Sequence, residues 1–395
     1  MVQTSIAVDS RAISVRFSVD FAYSLHFTRH AFALDNPLLV GLLCPSRADV
    51  PVRVFVAMDA TVCSAHPGLA DSISAYCRCH GLDLAGDVFL FPAGEAAKTG
   101  GMEIVLRLAK AMLAAGLDRQ SYLIAIGGGS VLDAAGLSAA LLHRGVRLVR
   151  LPTTVLGQND AGVGVKNGID CDGQKNAIGT FAPPWAVVDD FAFLDALPVA
   201  AFCAGFSEAA KVAMIKSKPF FDRLGELACA FAVREPAAVE EVIRTTARLH
   251  LAHIAGSGDP FETGSARPLD FGHWSAHRLE VLSDYRINHG HAVGIGLMID
   301  SFYAEALGLI SSGDVAQLLS MLKNARVLEE ARTFAGLLAD EESLFGGLDD
   351  FRAHLGGQLT LTLPGPVGFH CDIHEIDRPA CSRAIRLAKE ALEAV

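Results

Sequence analysis

The chain has 395 residues, of which 51% are hydrophobic and 19% are charged. This length predicts two domains, and the composition provides enough apolar side chains for two large cores. The net charge of −11 argues against nucleic acid and anionic membranes as partners, so any phosphate-binding site needs a local group of cationic side chains.

Residues 1–187 alternate short apolar strands with helical stretches. Strands are predicted over 52–58, 88–91, 122–126 and 146–151, and helices over 68–80, 100–115 and 131–142. This alternation is typical of a Rossmann-like α/β domain, which is a parallel sheet with helices on both faces and binds a dinucleotide such as NAD.

Residues 188–395 lose the strand signals, and long helical runs predict an all-helical second domain. The apolar tracts 104–115 and 292–309 contain charged residues, so we expect buried helices rather than membrane spans. No basic and then apolar signal segment opens the chain, and the nine cysteines include no CxxC pair. We therefore expect a cytoplasmic protein with reduced thiols.

A glycine-rich turn, Gly127-Gly128-Gly129-Ser130, separates a predicted strand from a predicted helix, and Asp133 lies one turn into that helix. Glycines let a backbone approach a pyrophosphate, and the helix N-terminus offers free N–H groups and a positive dipole end. The turn differs from the GxGxxG fingerprint, so a simple tight turn is the alternative.

More polar residues follow other predicted strands, at the edge where open α/β sheets bind their ligands. These residues are Asp59, Glu95, Lys98, Thr153 and Thr154. For Asp59, capping of the next helix is an equal alternative to binding ribose hydroxyls.

The helical half carries a candidate metal site. Glu208 and Lys211 are three residues apart on a predicted helix, His273 and His277 are four apart on another, and His289 opens a third. One carboxylate and two imidazoles from separate helices suit Zn²⁺ or a similar ion and leave coordination positions open for a substrate. For each histidine, a hydrogen-bonded core residue is the alternative.

Cations that suit a phosphate dianion occur in four places. Lys166 and the pair Lys175-Asn176 lie in the Gly-rich stretch 162–179, Arg144 ends a predicted helix, and Arg267 precedes Pro268. Together these side chains can neutralise a phosphate despite the acidic total. Taken singly, each has the alternative of a solvated surface cation.

Several motifs, in this order along the chain, resemble those of 3-dehydroquinate synthase and its relatives, the sugar phosphate cyclases. The central motif is carried by Leu151–Asp160, Gly164–Lys166 and Lys175–Gly179. A G-x-x-E-x-x-K motif follows in Gly205, Glu208 and Lys211, and FGH-x-x-x-H and HG motifs end the series at His273, His277 and His289-Gly290.

The resemblance implies an N-terminal NAD-binding domain, a C-terminal helical metal domain and a role for each matching residue. Glu208, His273 and His289 would bind one divalent metal, Zn²⁺ or Co²⁺. NAD would contact Asp59, Glu95, Lys98, Gly128, Gly129, Ser130, Asp133, Thr153 and Thr154. The phosphate would be held by Lys166, Asn176 and His277, with Arg144 reaching in from the second subunit of a homodimer. Lys175, Lys211, Arg267, Asp160 and Asp270 would contact or orient the sugar.

Departures from the dehydroquinate branch point to a different substrate. Asp270 stands where that branch has Asn, and His253 stands near its carboxylate-holding Lys. His291 replaces a Glu, and Arg352 and His354 lie near the place of a Lys-Lys run. Asp270 is similar to the sedoheptulose 7-phosphate cyclases, and His277 with the segment 266–274 is similar to the 2-epi-valiolone synthase-like group.

The resemblance therefore implies a carbon–oxygen lyase that releases phosphate from sedoheptulose 7-phosphate and forms a seven-carbon cyclitol, 2-epi-valiolone or an epimer. The expected steps are transient oxidation by NAD, β-elimination, reduction and an intramolecular aldol reaction. Two alternatives stay open at this point. One is 3-dehydroquinate synthase itself, and the other is an iron-type alcohol or glycerol phosphate dehydrogenase, which shares the glycine turn and a helical metal domain.

Overall fold

The computed structural model describes residues 5–9, 12–43, 50–256, 259–261, 268–354 and 359–395, without the side chains of 5–9, 353 and 354. The strands are β1 Ser5–Asp9, β2 Ala12–Arg16, β3 Ser24–Thr28, β4 Arg53–Asp59, β5 Asp83–Leu84, β6 Phe89–Phe91, β7 Tyr122–Gly127, β8 Arg147–Pro152, β9 Lys166–Cys171, β10 Gln174–Phe181, β11 Ala186–Asp190, β12 Leu361–Pro364 and β13 His370–Ile373.

The helices are α1 Leu38–Leu42, α2 Ala60–Ala65, α3 Leu69–Cys79, α4 Ala96–Thr99, α5 Gly101–Ala114, α6 Gly129–Leu141, α7 Val199–Ala204, α8 Phe206–Lys216, α9 Lys218–Ala232, α10 Pro236–Gly256, α11 His273–Leu282, α12 His289–Ala306, α13 Ser312–Asn324, α14 Val327–Ala331, α15 Glu341–His354 and α16 Arg378–Glu393. Shorter helical turns of 3₁₀ or π type cover Leu142–Arg144, Gly157–Ala161, Phe191–Ala196, Pro268–Asp270 and Arg332–Ala339.

Seven strands form one parallel sheet. Their order is β3-β11-β8-β7-β4-β5, and β6 pairs with the far end of β4. One apolar cluster, which includes Leu108 and Leu132, lies on one face of the sheet, and a second, which includes Tyr76 and Val188, lies on the other. The expected α/β fold with a parallel, two-faced sheet is confirmed.

The centre of the sheet follows directly from composition. All six residues of β7 (YLIAIG) are buried, as expected for a strand that is covered on both faces. Helix α6, which follows it, buries eight of its thirteen residues because it lies between the sheet and β9. Gly136 makes that approach possible, since a Cβ at this position would lie 1.7 Å from Asn167 Oδ1.

The second half is built around two helices that are apolar on nearly every side. Ten of the eleven residues of α8 and fourteen of the eighteen residues of α12 are buried. Helices α9, α10, α11 and α16 cover them, so α8 and α12 form the centre of a helical core. Four titratable residues on these two helices, Glu208, Lys211, His291 and Asp300, are therefore removed from solvent.

The structure differs from the sequence-based prediction in two places. Strands β12 and β13 form an antiparallel hairpin in the half predicted to be all-helical, because Leu361 and Leu363 pack into the helical core. The Gly-rich stretch 162–179, where no strand was predicted, contains much of the antiparallel hairpin β9–β10.

A buried arginine attaches that hairpin to the sheet. Arg150 on β8 is fully buried, and its guanidinium donates to the carbonyl oxygens of Gly162, Gly164 and Lys166 at 3.1, 2.6 and 3.0 Å and to Asn167 Oδ1 at 2.7 Å. Burial lowers the pKa of Arg150. The charge is accommodated because polar oxygens surround it in place of water.

No helix among the described residues is long and apolar enough to cross a membrane. The eight cysteines within the described ranges form no disulfide with one another.

We expect Arg150→Met to lower the free energy of unfolding by about 3 kcal/mol, because it leaves several buried carbonyl oxygens without a donor. Arg107→Lys, on the exposed face of α5, serves as the control and should change it by less than about 0.5 kcal/mol. Denaturant unfolding followed by circular dichroism measures both. Equal stability of the two variants would contradict the role of Arg150.

Candidate functional site

Three helices bring one carboxylate and two imidazoles together in the helical half, next to the carboxyl ends of the sheet strands. Glu208 Oε1 lies 3.8 Å from His273 Nε2 and 3.6 Å from His289 Nε2. Their ligand atoms all lie within 4.8 Å of one another. The structure thus gathers the three residues that the sequence singled out for a metal.

The two imidazole rings are held with the same nitrogen facing Glu208. His273 Nδ1 donates to the Phe271 carbonyl at 3.0 Å, and His289 Nδ1 donates to Glu280 Oε2 at 3.1 Å. Both Nε2 atoms are left facing the carboxylate. A hydrogen bond from the second ring nitrogen to a carbonyl or carboxylate is how metal-binding histidines are usually oriented.

Glu208 itself shows that this cluster suits a cation. Its side chain is fully buried, and Oε1 has no hydrogen-bond partner among the described residues. Ligands of a tetrahedral Zn²⁺ at about 2.0–2.2 Å lie about 3.3–3.5 Å from one another, close to the two distances observed. A divalent cation between the three side chains would accept the lone pairs of Glu208 Oε1 and of the two Nε2 atoms.

Lys211, one turn after Glu208 on α8, lies between two carboxylates. Its Nζ is 2.5 Å from Glu208 Oε2 and 3.7 Å from Asp160 Oδ1. Burial alone would lower the pKa of Lys211, but Asp160 and Glu208 outweigh it and raise this pKa. Lys211 therefore stays protonated and acts as a fixed positive donor.

Asp160 extends this network to α10. His250 Nδ1 lies 3.2 Å from Asp160 Oδ1. Although burial works against ionisation, Lys211 and His250 hold the pKa of Asp160 well below its usual value. Asp270, on the turn before α11, also raises the pKa of Lys211, so several carboxylates surround this ammonium.

The histidines fall into two protonation classes. Burial, helped by Lys211 for His273 and by His273 for His277, lowers the pKa of both, so these rings are neutral near pH 7. Burial also opposes a charge on His289, but Glu280 and Glu208 raise its pKa to about 9. A cation bound at His289 Nε2 would take the place of that proton.

On the sheet side, the glycine turn leads into α6 with Gly128 as the N-cap and no side chain capping the helix. Ser130 Oγ donates to Glu95 Oε2 at 2.5 Å, and Lys98 Nζ lies 2.6 Å from Asp133 Oδ2. Burial disfavours a charge on Lys98, yet Asp133 and Glu95 raise its pKa. The uncapped N–H groups at a helix start suit a pyrophosphate, and no Cβ stands at Gly128 or Gly129 to block its approach.

Three further residues predicted to contact the dinucleotide lie at strand ends. Asp59 caps α2, with its carboxylate accepting from Thr61 N at 2.7 Å and from the Thr61 hydroxyl. Thr153 is buried, and Thr154 Oγ1 accepts from Gly157 N at 2.9 Å. These positions follow β4 and β8, two strands that flank β7 and its glycine turn.

Lys175 on the β9–β10 hairpin connects the two halves. Its Nζ lies 2.7 Å from Glu95 Oε1 and 2.7 Å from Glu280 Oε1, above the Tyr285 ring at 5.3 Å. Asn176, beside it, accepts from Lys98 Nζ at 2.7 Å, while its own backbone N–H donates to Asp170 Oδ1 at 2.9 Å.

Sequence reasoning gave no site role to Glu280, Tyr285, Asp170 or Asp300. Asp300 accepts from Gly272 N and the Trp274 indole, which holds the turn before His273, and burial raises its pKa to about 7. Glu280 was within reach of pattern analysis, because it lies seven residues after His273 and so on the same helix face. Tyr285 and Asp170 lie in a loop and a hairpin, where spacing carries no such signal.

Other predicted residues are not gathered at this site. Arg144 is exposed just beyond the far end of α6, about 20 Å along the helix from Gly128. Lys166 is exposed at the start of β9, and Arg267 lies outside the described residues.

Besides Asp270, four positions depart from the dehydroquinate pattern, and the structure describes the side chains of three of them. His253 Nδ1 lies 3.3 Å from Lys216 Nζ, and His291 Nδ1 donates to the Val327 carbonyl at 2.9 Å. Arg352 pairs with Asp349 on the exposed face of α15. His354 ends that helix, and its side chain is outside the described atoms.

Comparison with known families agrees with this geometry. Residues 88–204 match the family model described as 3-dehydroquinate synthase N-terminal, and residues 205–339 match the one described as 3-dehydroquinate synthase C-terminal. The 3-dehydroquinate synthase of Solibacter usitatus is 34% identical over 303 residues, which cover 76% of this chain and 82% of that protein.

Two solved structures share the whole architecture. A 2-epi-5-epi-valiolone synthase from Streptomyces hygroscopicus subsp. jinggangensis, with NAD⁺ and Zn²⁺ bound, superposes with a TM-score of 0.82 at 27% identity over 95% of this chain and 98% of that one. A 2-deoxy-scyllo-inosose synthase, complexed with carbaglucose-6-phosphate, NAD⁺ and Co²⁺, gives 0.73 at 21% identity over 98% and 99%, which shows a shared fold.

Removing the carboxylate charge at Glu208 should weaken divalent metal binding strongly. Loss of an outer-shell partner alone costs about 10–100-fold in metal affinity, so we expect Glu208→Gln to lose at least about 100-fold for Zn²⁺. Competition with a chromophoric chelator measures this affinity in the absence of substrate. Glu226→Gln, on the exposed face of α9, is the control, and near-normal Zn²⁺ affinity of Glu208→Gln would exclude the proposed ligand set.

Proposed function

The chain belongs to the 3-dehydroquinate synthase family, within the sugar phosphate cyclases, and on that premise we propose that it cyclises sedoheptulose 7-phosphate. The product would be 2-epi-valiolone or an epimer, formed with release of inorganic phosphate. This makes the protein a carbon–oxygen lyase that acts on a phosphate.

One observation carries the choice of substrate. Lys211, which is paired with the metal-cluster residue Glu208, is already shared between Glu208 and Asp160, and Asp270 adds to the negative charge around it. A keto-acid substrate would bring a fourth carboxylate close to these three carboxylates, and the like charges would repel one another. A neutral polyol end can instead donate hydroxyl hydrogen bonds to them, so the local charge favours a ketose phosphate over a keto-acid phosphate.

The residues present fit an NAD and a divalent metal. Glu208, His273 and His289 would hold the metal, and the start of α6 with Glu95, Lys98 and Asp133 would hold the dinucleotide. When bound, these groups supply transient hydride acceptance and polarisation of the reacting hydroxyl. The valiolone synthase that this chain resembles has NAD⁺ and Zn²⁺ bound, which supports the assignment.

The charge of each remaining side chain at the site determines its role in binding the substrate. Lys211 and Lys175 stay protonated, because carboxylates raise the pKa of each against the effect of burial, and they serve as donors that orient substrate oxygens. His277 is neutral, since burial lowers its pKa, and its ring N–H can donate a hydrogen bond to the phosphate end of the substrate. Fixed donors in a site with little water stabilise developing negative charge without reorganisation.

3-Dehydroquinate synthase activity is the second candidate, because a curated relative of that name is 34% identical to this chain. The two candidate substrates differ at the end that would lie near Lys211. The keto-acid phosphate has a carboxylate there, and the ketose phosphate has hydroxyl groups. Both candidates would use the same metal cluster and the same glycine turn.

We expect the purified protein with NAD⁺ and Zn²⁺ to release phosphate from sedoheptulose 7-phosphate with a kcat/KM at least about 100-fold above that for the keto-acid phosphate of 3-dehydroquinate synthase. NMR identifies the cyclitol, and Glu208→Gln serves as the inactive control. The reverse preference would establish the second candidate. Net accumulation of NADH would instead indicate a dehydrogenase, because a cyclase returns the hydride.

We also propose that the chain acts as a homodimer in which Arg144 reaches the neighbouring site. A row of alternating apolar residues supports association, because each has about 60–70% of its surface exposed: Ile13 69%, Val15 59%, Phe17 66%, Val19 62% and Phe21 60%. Among the described strands, β2 pairs only with β1, and such an isolated apolar hairpin gains stability when a partner covers it.

Mixed dimers test the role of Arg144. Arg144→Ala and Glu208→Gln should each be inactive alone, yet their co-expression should restore about a quarter of the sites, because a mixed dimer contains one site with both native residues. Light scattering should show that each variant keeps the dimer mass. No recovery in mixed dimers would place Arg144 outside the neighbour's site.

A further inference from the structure

Glu280 lies in a position from which it reaches both the metal cluster and the hairpin. On α11, His273, His277 and Glu280 follow one another at intervals of four and three residues, so all three lie on one helix face. The Glu280 side chain is only 4% exposed. A carboxylate this deeply buried needs partners for both oxygens.

One oxygen fixes a metal-ligand ring. Glu280 Oε2 accepts from His289 Nδ1 at 3.1 Å, and this bond leaves Nε2 facing Glu208 Oε1 at 3.6 Å. The other ring, His273, is held by the backbone of Phe271. The orientation of His289 therefore depends on a side chain, while that of His273 depends on the main chain.

The other oxygen fixes Lys175. Glu280 Oε1 is 2.7 Å from Lys175 Nζ, and the same ammonium lies 2.7 Å from Glu95 Oε1. Glu95 Oε2 in turn accepts from Ser130 Oγ in the first turn of α6. A continuous line of charged and polar side chains thus connects the glycine turn to His289.

We propose that Glu280 is a positioning residue that couples metal binding at Glu208, His273 and His289 to dinucleotide binding at the glycine turn. The inference rests on the proposed function, because it takes NAD and the metal as the two ligands. A dinucleotide at α6 fixes Ser130 and Glu95, Glu95 fixes Lys175, and Lys175 fixes the carboxylate that orients His289. The first ligand to bind orders these side chains, and the second ligand then binds to side chains that are already ordered. Each ligand therefore raises the affinity for the other.

Glu280 is also close enough to be a ligand itself, in a set with His277 and His289. Its contacts argue against that role. Oε2 is taken by the His289 ring and Oε1 by Lys175, whereas Glu208 Oε1 has no donor. A positioning residue and a ligand differ in how much Zn²⁺ affinity should remain when Glu280 is replaced by Gln.

The coupling is measured from Zn²⁺ affinity, by chelator competition, with and without saturating NAD⁺. We expect NAD⁺ to raise the affinity of the native chain by at least about 5-fold. In Glu280→Gln the ratio should fall to about one, and the affinity without NAD⁺ should drop about 10–100-fold, as expected for loss of an outer-shell partner. Lys175→Met should also bring the ratio to about one. Glu305→Gln, at the other end of the helix that carries His289, should keep the native ratio.

A ratio of one in the native chain, or an unchanged ratio in Glu280→Gln, would overturn the inference. Loss of all measurable Zn²⁺ binding in Glu280→Gln, as complete as in Glu208→Gln, would make Glu280 a ligand and also contradict it. If Glu280→Gln does not fold, Lys175→Met decides the question by itself. A chain that binds neither Zn²⁺ nor NAD⁺ would contradict the proposed function, whereas binding of both without coupling contradicts this inference alone.

Discussion

Two lysines with little exposed surface, each between one carboxylate from the sheet side and one from the helical side, are the constraint on which the site depends. Lys211 lies between Asp160 from the sheet side and Glu208 from the helical core, and Lys175 lies between Glu95 and Glu280 in the same way. A buried charge without its partner costs several kcal/mol, so these groups stabilise the fold only when all are present. The sheet and the helices must therefore meet in one arrangement.

This arrangement also sets the protonation states that the chemistry needs. The carboxylates keep both lysines charged although burial opposes it, whereas burial lowers the pKa of His273 and His277 and keeps these two rings neutral. Positive donors and neutral imidazoles then lie side by side in one cluster of side chains. Such a site is organised before the substrate arrives, so little energy is spent on reorienting groups during the reaction.

The strands and helices near the glycine turn were predictable from local sequence. The run 122–126 forms β7 and 131–142 forms most of α6, because β-branched runs and apolar helices have strong periodic signals. The hairpin β12–β13 was missed because its short strands lie among long helical runs, and packing of Leu361 and Leu363 on the helical core is what forms them.

The sequence by itself determined which residue types were available and on which helix face they stand. The spacing of Glu208 with Lys211 and of His273 with His277 fixed shared faces, since an α-helix repeats every 3.6 residues. Only the tertiary structure decided that Glu280 lies against Lys175, 105 residues away, and that Arg144 lies far from the site of its own chain. Contacts between distant segments depend on how whole elements pack, and no local periodicity encodes that packing.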